Sequence, residues 1–134
     1  MGNPKGANAE RELIHLFWKG GWAATRVAGS GSSSYPSPDI VAGNAARKVA
    51  IECKAVKGKQ KYLAKEQVAA LVQFASRFGA EPWIGVRFNN EPWYFVAVDD
   101  LGDTGKHASV TRDLARKKGI ILEELIGPQT VAIP

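Results

Sequence analysis

Three residues in the stretch PDIVAGNAARKVAIECK, Pro38 to Lys54, have the types and spacing to do chemistry together: Asp39, Glu52 and Lys54. Two β-compatible runs, Asp39–Ala42 and Lys48–Lys54, flank the turn-rich GNAAR and predict a hairpin. Pairing Ala42 with Val49 sets Val41 opposite Ala50, Ile40 opposite Ile51 and Asp39 opposite Glu52. Directly opposed residues share a face, about 5 Å apart at Cβ. Residues two apart along a strand share it too, so Lys54 joins the two acids. Ile40, Ile51 and Cys53 then point the other way, into a core. Opposed carboxylates repel unless positive charge lies between them. A hard divalent cation such as Mg²⁺ takes oxygen ligands while keeping waters, and it can polarise a phosphoryl oxygen and activate water. Lys54 beside it could neutralise charge developing at phosphorus or hold the attacking water. On the hairpin alone, a plain salt bridge between Lys54 and the acids is the competing reading.

The elements that must position these groups follow from periodicity. After a short arm (residues 1–6, expected to be mobile), ANAERELIHLFWKGG carries apolar residues at Ala9, Leu13, Ile14, Leu16 and Phe17 and stops at Gly20-Gly21. That spacing describes an amphipathic helix. Trp22–Val27 is β-compatible, and the Gly/Ser/Pro run that follows (28–38) reads as a mobile loop. Beyond the hairpin, Lys54, Lys57, Lys59, Lys61 and Lys65 form a run without an acid, read as a loop. A helix is expected from about Ala64 to Phe78, then a second hairpin, Pro82–Phe88 and Pro92–Val98, around Asn89-Asn90-Glu91. A short basic helix (Val110–Lys118) and an apolar segment (Ile120–Ile126) close the reading. This order gives an α/β fold, a central mixed sheet flanked by helices.

The 134 residues suit one compact domain. No stretch is apolar for long enough to span a membrane and the start lacks a signal-peptide profile, so the expectation is an intracellular protein. The single Cys53 excludes an internal disulfide and a cysteine-based zinc site. A net charge of +5 favours an anionic partner such as nucleic acid. His15 and His107 have no partners at metal-ligand spacing and read as structural or surface residues. Gln67, one turn into the expected second helix, lies within plausible reach of the site.

Pro38-Asp39 followed by Glu52-Cys53-Lys54 resembles the PD…(D/E)xK signature of restriction-endonuclease-like nucleases. Together, KGANAERELIHLF, TRVAGSGS, PDIVAGN, AIECK and LVQFASRFGAEPWIGVRF resemble the archaeal Holliday-junction resolvases, in the same order and spacing. The likeness runs from about Lys5 to Phe95 and thins after Val98, leaving residues 102–134 without a motif. It implies a restriction-endonuclease-like single nuclease domain that cuts four-way DNA junctions as a homodimer with Mg²⁺, or Mn²⁺ in its place, and no small-molecule cofactor. Carried over by position, Glu10, Asp39 and Glu52 are the metal ligands and Lys54 the catalytic lysine. Arg11 and Arg26 lie near the scissile phosphate, and Glu10 and Arg11 are expected to begin the first helix, whose N-terminal end favours anions and would suit a phosphate nearby. A loop serine, one of Ser30, Ser32, Ser33 and Ser34 with Ser30 and Ser32 put first, takes part in activity, and Phe74 and Phe78 belong to the subunit interface. Their spacing also fits a plain core stripe, and Trp83 and Trp93 are assigned to core or interface without preference.

Lys5, Lys57, Lys59 and Lys61 complete the expected DNA-binding set. With basic residues around a loop and no groove-reading motif, junction binding should depend on salt and little on base composition. Two other readings remain at this stage: a nuclease for nicked or otherwise branched DNA, and a non-catalytic junction-binding paralogue. The second would be marked by loss of an acid or the lysine, and all four of Glu10, Asp39, Glu52 and Lys54 are present.

Overall fold

The computed structural model describes residues 4–27 and 34–127, with side chains from residue 6 onward. Helix α1 (Pro4–Lys19) opens the chain, starting three residues earlier than the periodicity suggests because Pro4 is preset for a first helical turn. Residues 4–6, expected in a mobile arm, are therefore helical. Strands β1 (Ala23–Arg26), β2 (Ile40–Gly43) and β3 (Lys48–Val56) follow. The β2–β3 hairpin has the expected register, with Ile40 opposite Ile51 and Ala42 opposite Val49.

The lysine run departs from expectation. It is no simple loop: after a turn at Lys57–Lys59 the chain forms β4 (Gln60–Ala64), which carries Lys61. Only Leu63 of this strand is buried, so its sequence shows no alternation. Its partner is β8 (His107–Thr111), far along the chain. Helix α2 (Lys65–Phe78) then ends at Gly79, whose φ of 78° is the left-handed conformation that favours glycine. The second hairpin is β5 (Glu81–Phe88) and β6 (Trp93–Ala97). A 3-10 turn (Val98–Asp100) and β7 (Gly102–Asp103) lead into β8. The basic helix is shorter than expected, α3 (Arg112–Lys118), because Val110 is spent on β8; Thr111 caps it by accepting the Leu114 N–H at 3.0 Å. Short β9 (Ile120–Ile121) and α4 (Leu122–Ile126) end the described chain.

Among the described residues the strands form two sheets, one ordered β1-β2-β3-β5-β6-β9 and a smaller one ordered β4-β8-β7. The large sheet is mixed: β3 and β5 run parallel and the other neighbours antiparallel. Parallel β3 and β5 require a crossover, which β4 and α2 provide. A core lies on each side of β3. Leu13, Phe17, Trp22, Ile40, Ile51 and Leu125 pack together on one; Ala50, Leu63, Leu71, Ala75, Ile84 and Val110 pack on the other. Each fully buried Leu or Ile here contributes roughly 1.5–3 kcal/mol. The face carrying Glu52 is thus polar only toward its end, since Ala50 on that same face is core. Trp93 is buried in the first core, and Trp83, partly buried, packs against it.

Candidate active site

Asp39 sits just before β2 and is gripped from both neighbouring strands. Its N–H donates to the Ile51 carbonyl at 3.0 Å, and its own carbonyl accepts from Val27 N–H at 2.8 Å. Asp39 Oδ2 accepts the Cys53 N–H at 2.8 Å. The carboxylate so takes up a ladder donor and is fixed against β3. Glu52, next to Cys53, is buried. Its Oε2 accepts from Gln67 Nε2 at 3.0 Å, and Lys54 Nζ lies 3.5 Å away from the same oxygen. Asp39, Glu52 and Lys54 therefore do share a face, and the Lys54 salt bridge to Glu52 exists alongside any catalytic use of the amine.

Charge in the site is unbalanced. Burial, then the negative charge of Asp39, push the Glu52 carboxyl from 4.5 to about 7, against the opposing pull of Lys54. Burial and Asp39 also raise Glu10, while Arg26 lowers it. Asp39 is thus the middle acid, felt by one carboxylate on each side. Burial likewise pushes the Cys53 thiol well up, so it stays protonated and packs as an apolar group.

Glu10 reaches the site from α1, at the end of the sheet where β1 finishes at Arg26 opposite Ile40. Arg26 Nε donates to Glu10 Oε1 at 2.9 Å, with Arg26 half-exposed and Glu10 largely covered. The expectation that Glu10 and Arg11 start the helix fails: with α1 beginning at Pro4 they lie well inside it, away from its electropositive end. Arg11 turns outward and donates to Asn8 Oδ1 at 2.8 Å. Lys57, Lys59 and Lys61 are exposed, the first two in the turn that directly follows β3. The Lys5 side chain, Ser30, Ser32 and Ser33 lie outside what is described.

Among the described residues no three His, Cys, Asp or Glu side chains stand close enough together to hold a metal ion as they are; Glu10 is engaged by Arg26. The donor set nevertheless suits a hard cation. Asp39 and Glu52 are adjacent oxygen donors; burial first, and then the charge of Asp39, raise Glu52 to about 7, and a divalent ion between them would offset their mutual repulsion.

A second feature lies away from the acids. Phe74 packs against the core, but Phe78 is 47% exposed and stacks on Phe74 with ring centroids 5.2 Å apart. Phe78 lines two apolar grooves, one with Trp18, Ala24, Thr25 and Val41, the other with Tyr35, Pro36 and Phe74. Trp18, 60% exposed, was missed by the periodicity reading; a tryptophan beside the helix's charged stop Lys19 was the available signal. Among the described residues no helix is long and apolar enough to cross a membrane.

A family model of archaeal Holliday junction resolvases (Hjc) matches residues 1–133. The crossover junction endodeoxyribonuclease Hjc of Archaeoglobus fulgidus is 44% identical over 106 residues, which cover 79% of this chain and 78% of that protein. Hjc of Methanocaldococcus jannaschii is 36% identical over 125 residues, 92% of this chain and 87% of that one. The solved structure of A. fulgidus Hjc, described as a Holliday junction resolvase from a hyperthermophile, matches with a TM-score of 0.86 at 39% identity, covering 91% of this chain and all of that chain. With nearly its whole length matched and the paired acids and lysine of the hairpin in place, the chain belongs to the archaeal Holliday junction resolvase family.

Proposed function

We propose that this protein is a structure-selective endonuclease that resolves four-way DNA junctions by metal-dependent phosphodiester hydrolysis, each copy of a homodimer nicking one of two equivalent strands. The observation that carries the reading is Asp39 beside Glu52 on the face that also bears Lys54. Asp39 and Glu52, with Glu10 as the third acid once released from Arg26, would hold Mg²⁺, or Mn²⁺ in its place. The ion supplies Lewis acidity and an activated water. Lys54 places an ammonium group beside the reacting phosphate, where it offsets the negative charge that builds up as water adds and the bond to the leaving sugar oxygen breaks. Arg26, half-exposed at the edge of the site, is placed to take a phosphate when it lets go of Glu10.

Lys57 and Lys59 extend the positive surface directly from the catalytic strand, and Lys61 continues it along β4. Such contacts read backbone charge and shape rather than base edges. Dimerisation is supported by Phe78 and Trp18, large apolar side chains left exposed around one pair of grooves. A four-way junction has two-fold symmetry, and a closed two-fold dimer places two sites at a fixed separation to match it. A chromosomal substrate places the activity inside the cell.

The test is cleavage of a labelled synthetic four-way junction, a linear duplex, and nicked and flapped DNA, with Mg²⁺ or with chelator, by the native chain and by Glu52→Gln. Paired symmetric nicks on the junction alone, lost with chelator and in the variant, are expected. Cleavage of nicked or flapped DNA at the same rate would overturn junction selectivity. Native protein that binds the junction and never cuts it would make the hairpin acids a vestige and the protein a binding module.

A further inference from the structure

Gln67 enters the site from outside the hairpin. It lies in the first turn of α2 and starts a stripe, Gln67, Leu71 and Ala75, whose spacing of four puts all three on one helix face. Leu71 and Ala75 are buried in the core beneath α2. An apolar residue at position 67 would continue that stripe; the amide interrupts it where the helix passes Glu52. There Gln67 Nε2 donates to Glu52 Oε2 at 3.0 Å. An amide bears no net charge, so its effect on a carboxylate is mostly directional. Together with Lys54, 3.5 Å from the same oxygen, it fixes the plane of the Glu52 carboxylate from a second element of the fold. Helix α2 has no side-chain cap at Ala64, so Gln67 serves a neighbouring acid and leaves the helix's own first turn uncapped.

We propose that Gln67 is a positioning residue for the metal-binding carboxylate Glu52, holding it in the orientation that the cation requires. This rests on the metal-dependent reading of the site above. Donors to a ligating carboxylate commonly set metal affinity through the geometry they impose. Gln67 would act in this way while touching neither the cation nor the DNA.

The test uses Gln67→Met, which keeps length and volume and removes the donor, with Gln67→Ala as a second variant in case the thioether packs abnormally. Mn²⁺ binding to DNA-free protein is measured by calorimetry, and junction affinity in chelator by fluorescence anisotropy. Both variants should bind Mn²⁺ about tenfold more weakly than native protein. Cleavage should fall at limiting metal and recover as the metal concentration is raised, while junction affinity in chelator stays native. Mn²⁺ affinity within twofold of native in both variants overturns the proposal and leaves the function standing. So does a loss of junction affinity in chelator equal to the loss of metal affinity, which would mark a general structural defect. If the native protein itself binds no Mn²⁺, the metal reading fails and the role of Gln67 fails with it.

Discussion

Glu52→Gln should make the metal-free protein more stable while abolishing cleavage. In the folded chain the carboxyl is raised from 4.5 to about 7. Below pH 4.5 it is neutral folded or unfolded and its burial is unopposed; as pH rises through about 7 that stability is lost, because the folded chain must then charge a buried group beside Asp39. The shift corresponds to about 3 kcal/mol at full ionisation. Weaker contacts to Lys54 and Gln67 in the variant reduce the net gain to about 1–2 kcal/mol at pH 8. For a chain of this size that is a rise of about 5 °C in Tm. Calorimetric unfolding in chelator reads it directly: the variant should melt above the native protein at pH 8, and the two should converge near pH 5. Saturating Mg²⁺ should reverse the order, since ligand at a hundredfold its Kd adds about 2.7 kcal/mol to the form that binds it. A variant that melts below native by the same margin at both pH values would refute the charge account of the site.

Arg47 should be a stability residue with no part in cleavage. Its guanidinium bonds both Glu81 oxygens, at 2.7 and 2.8 Å, donates to the Leu125 carbonyl and lies over the Trp22 ring at 5.4 Å. Arg47→Ala should cost about 2 kcal/mol in urea unfolding at pH 7. Its hydrogen bonds hold Glu81 below the usual carboxylate range, so this contribution is complete above pH 4.5 and fades as pH falls through that lowered value. An equal cost at pH 3 would contradict the ion-pair assignment. If the proposed dimer forms through Phe78, Phe78→Asp should yield monomer in sedimentation velocity with the fold intact by circular dichroism, because the side chain is already exposed; an unchanged sedimentation coefficient would move the interface elsewhere.

The parts of the fold that a reader of the sequence could see are those settled by short-range counting. The hairpin register follows from a turn and the period of a strand, so the pairing of Asp39 with Glu52 was legible residue by residue. Strand β4 was not: QKYLA looks like a solvated lysine run because only Leu63 meets the core, and what makes it a strand is β8, more than forty residues away. The sequence places the start of α1 too late because Gly6 is a poor helix former and no apolar residue in 4–6 extends the stripe, and with it goes the dipole role for Glu10. The ion pair between Arg26 and Glu10 depends on how α1 lies across β1, a tertiary fact with no local signature. Gln67 was visible as a polar residue near the site; its bond to Glu52 was not.

Order of synthesis separates the chemistry from the scaffold. Every candidate catalytic or positioning side chain lies at or before Gln67, whereas Leu122 and Leu125, which close the core over Leu13, Phe17 and Trp22, come near the end of the described chain. Strand β8, the one sheet neighbour of β4 among the described residues, also comes late. At about 5–20 residues per second, a nascent chain carries Glu10, Asp39 and Glu52 for several seconds before it can seat them. During that interval it is a sticky polypeptide with no assembled active site. A chain cut short after Val98 should stay in that state, open to protease along its whole length, and would be no minimal nuclease.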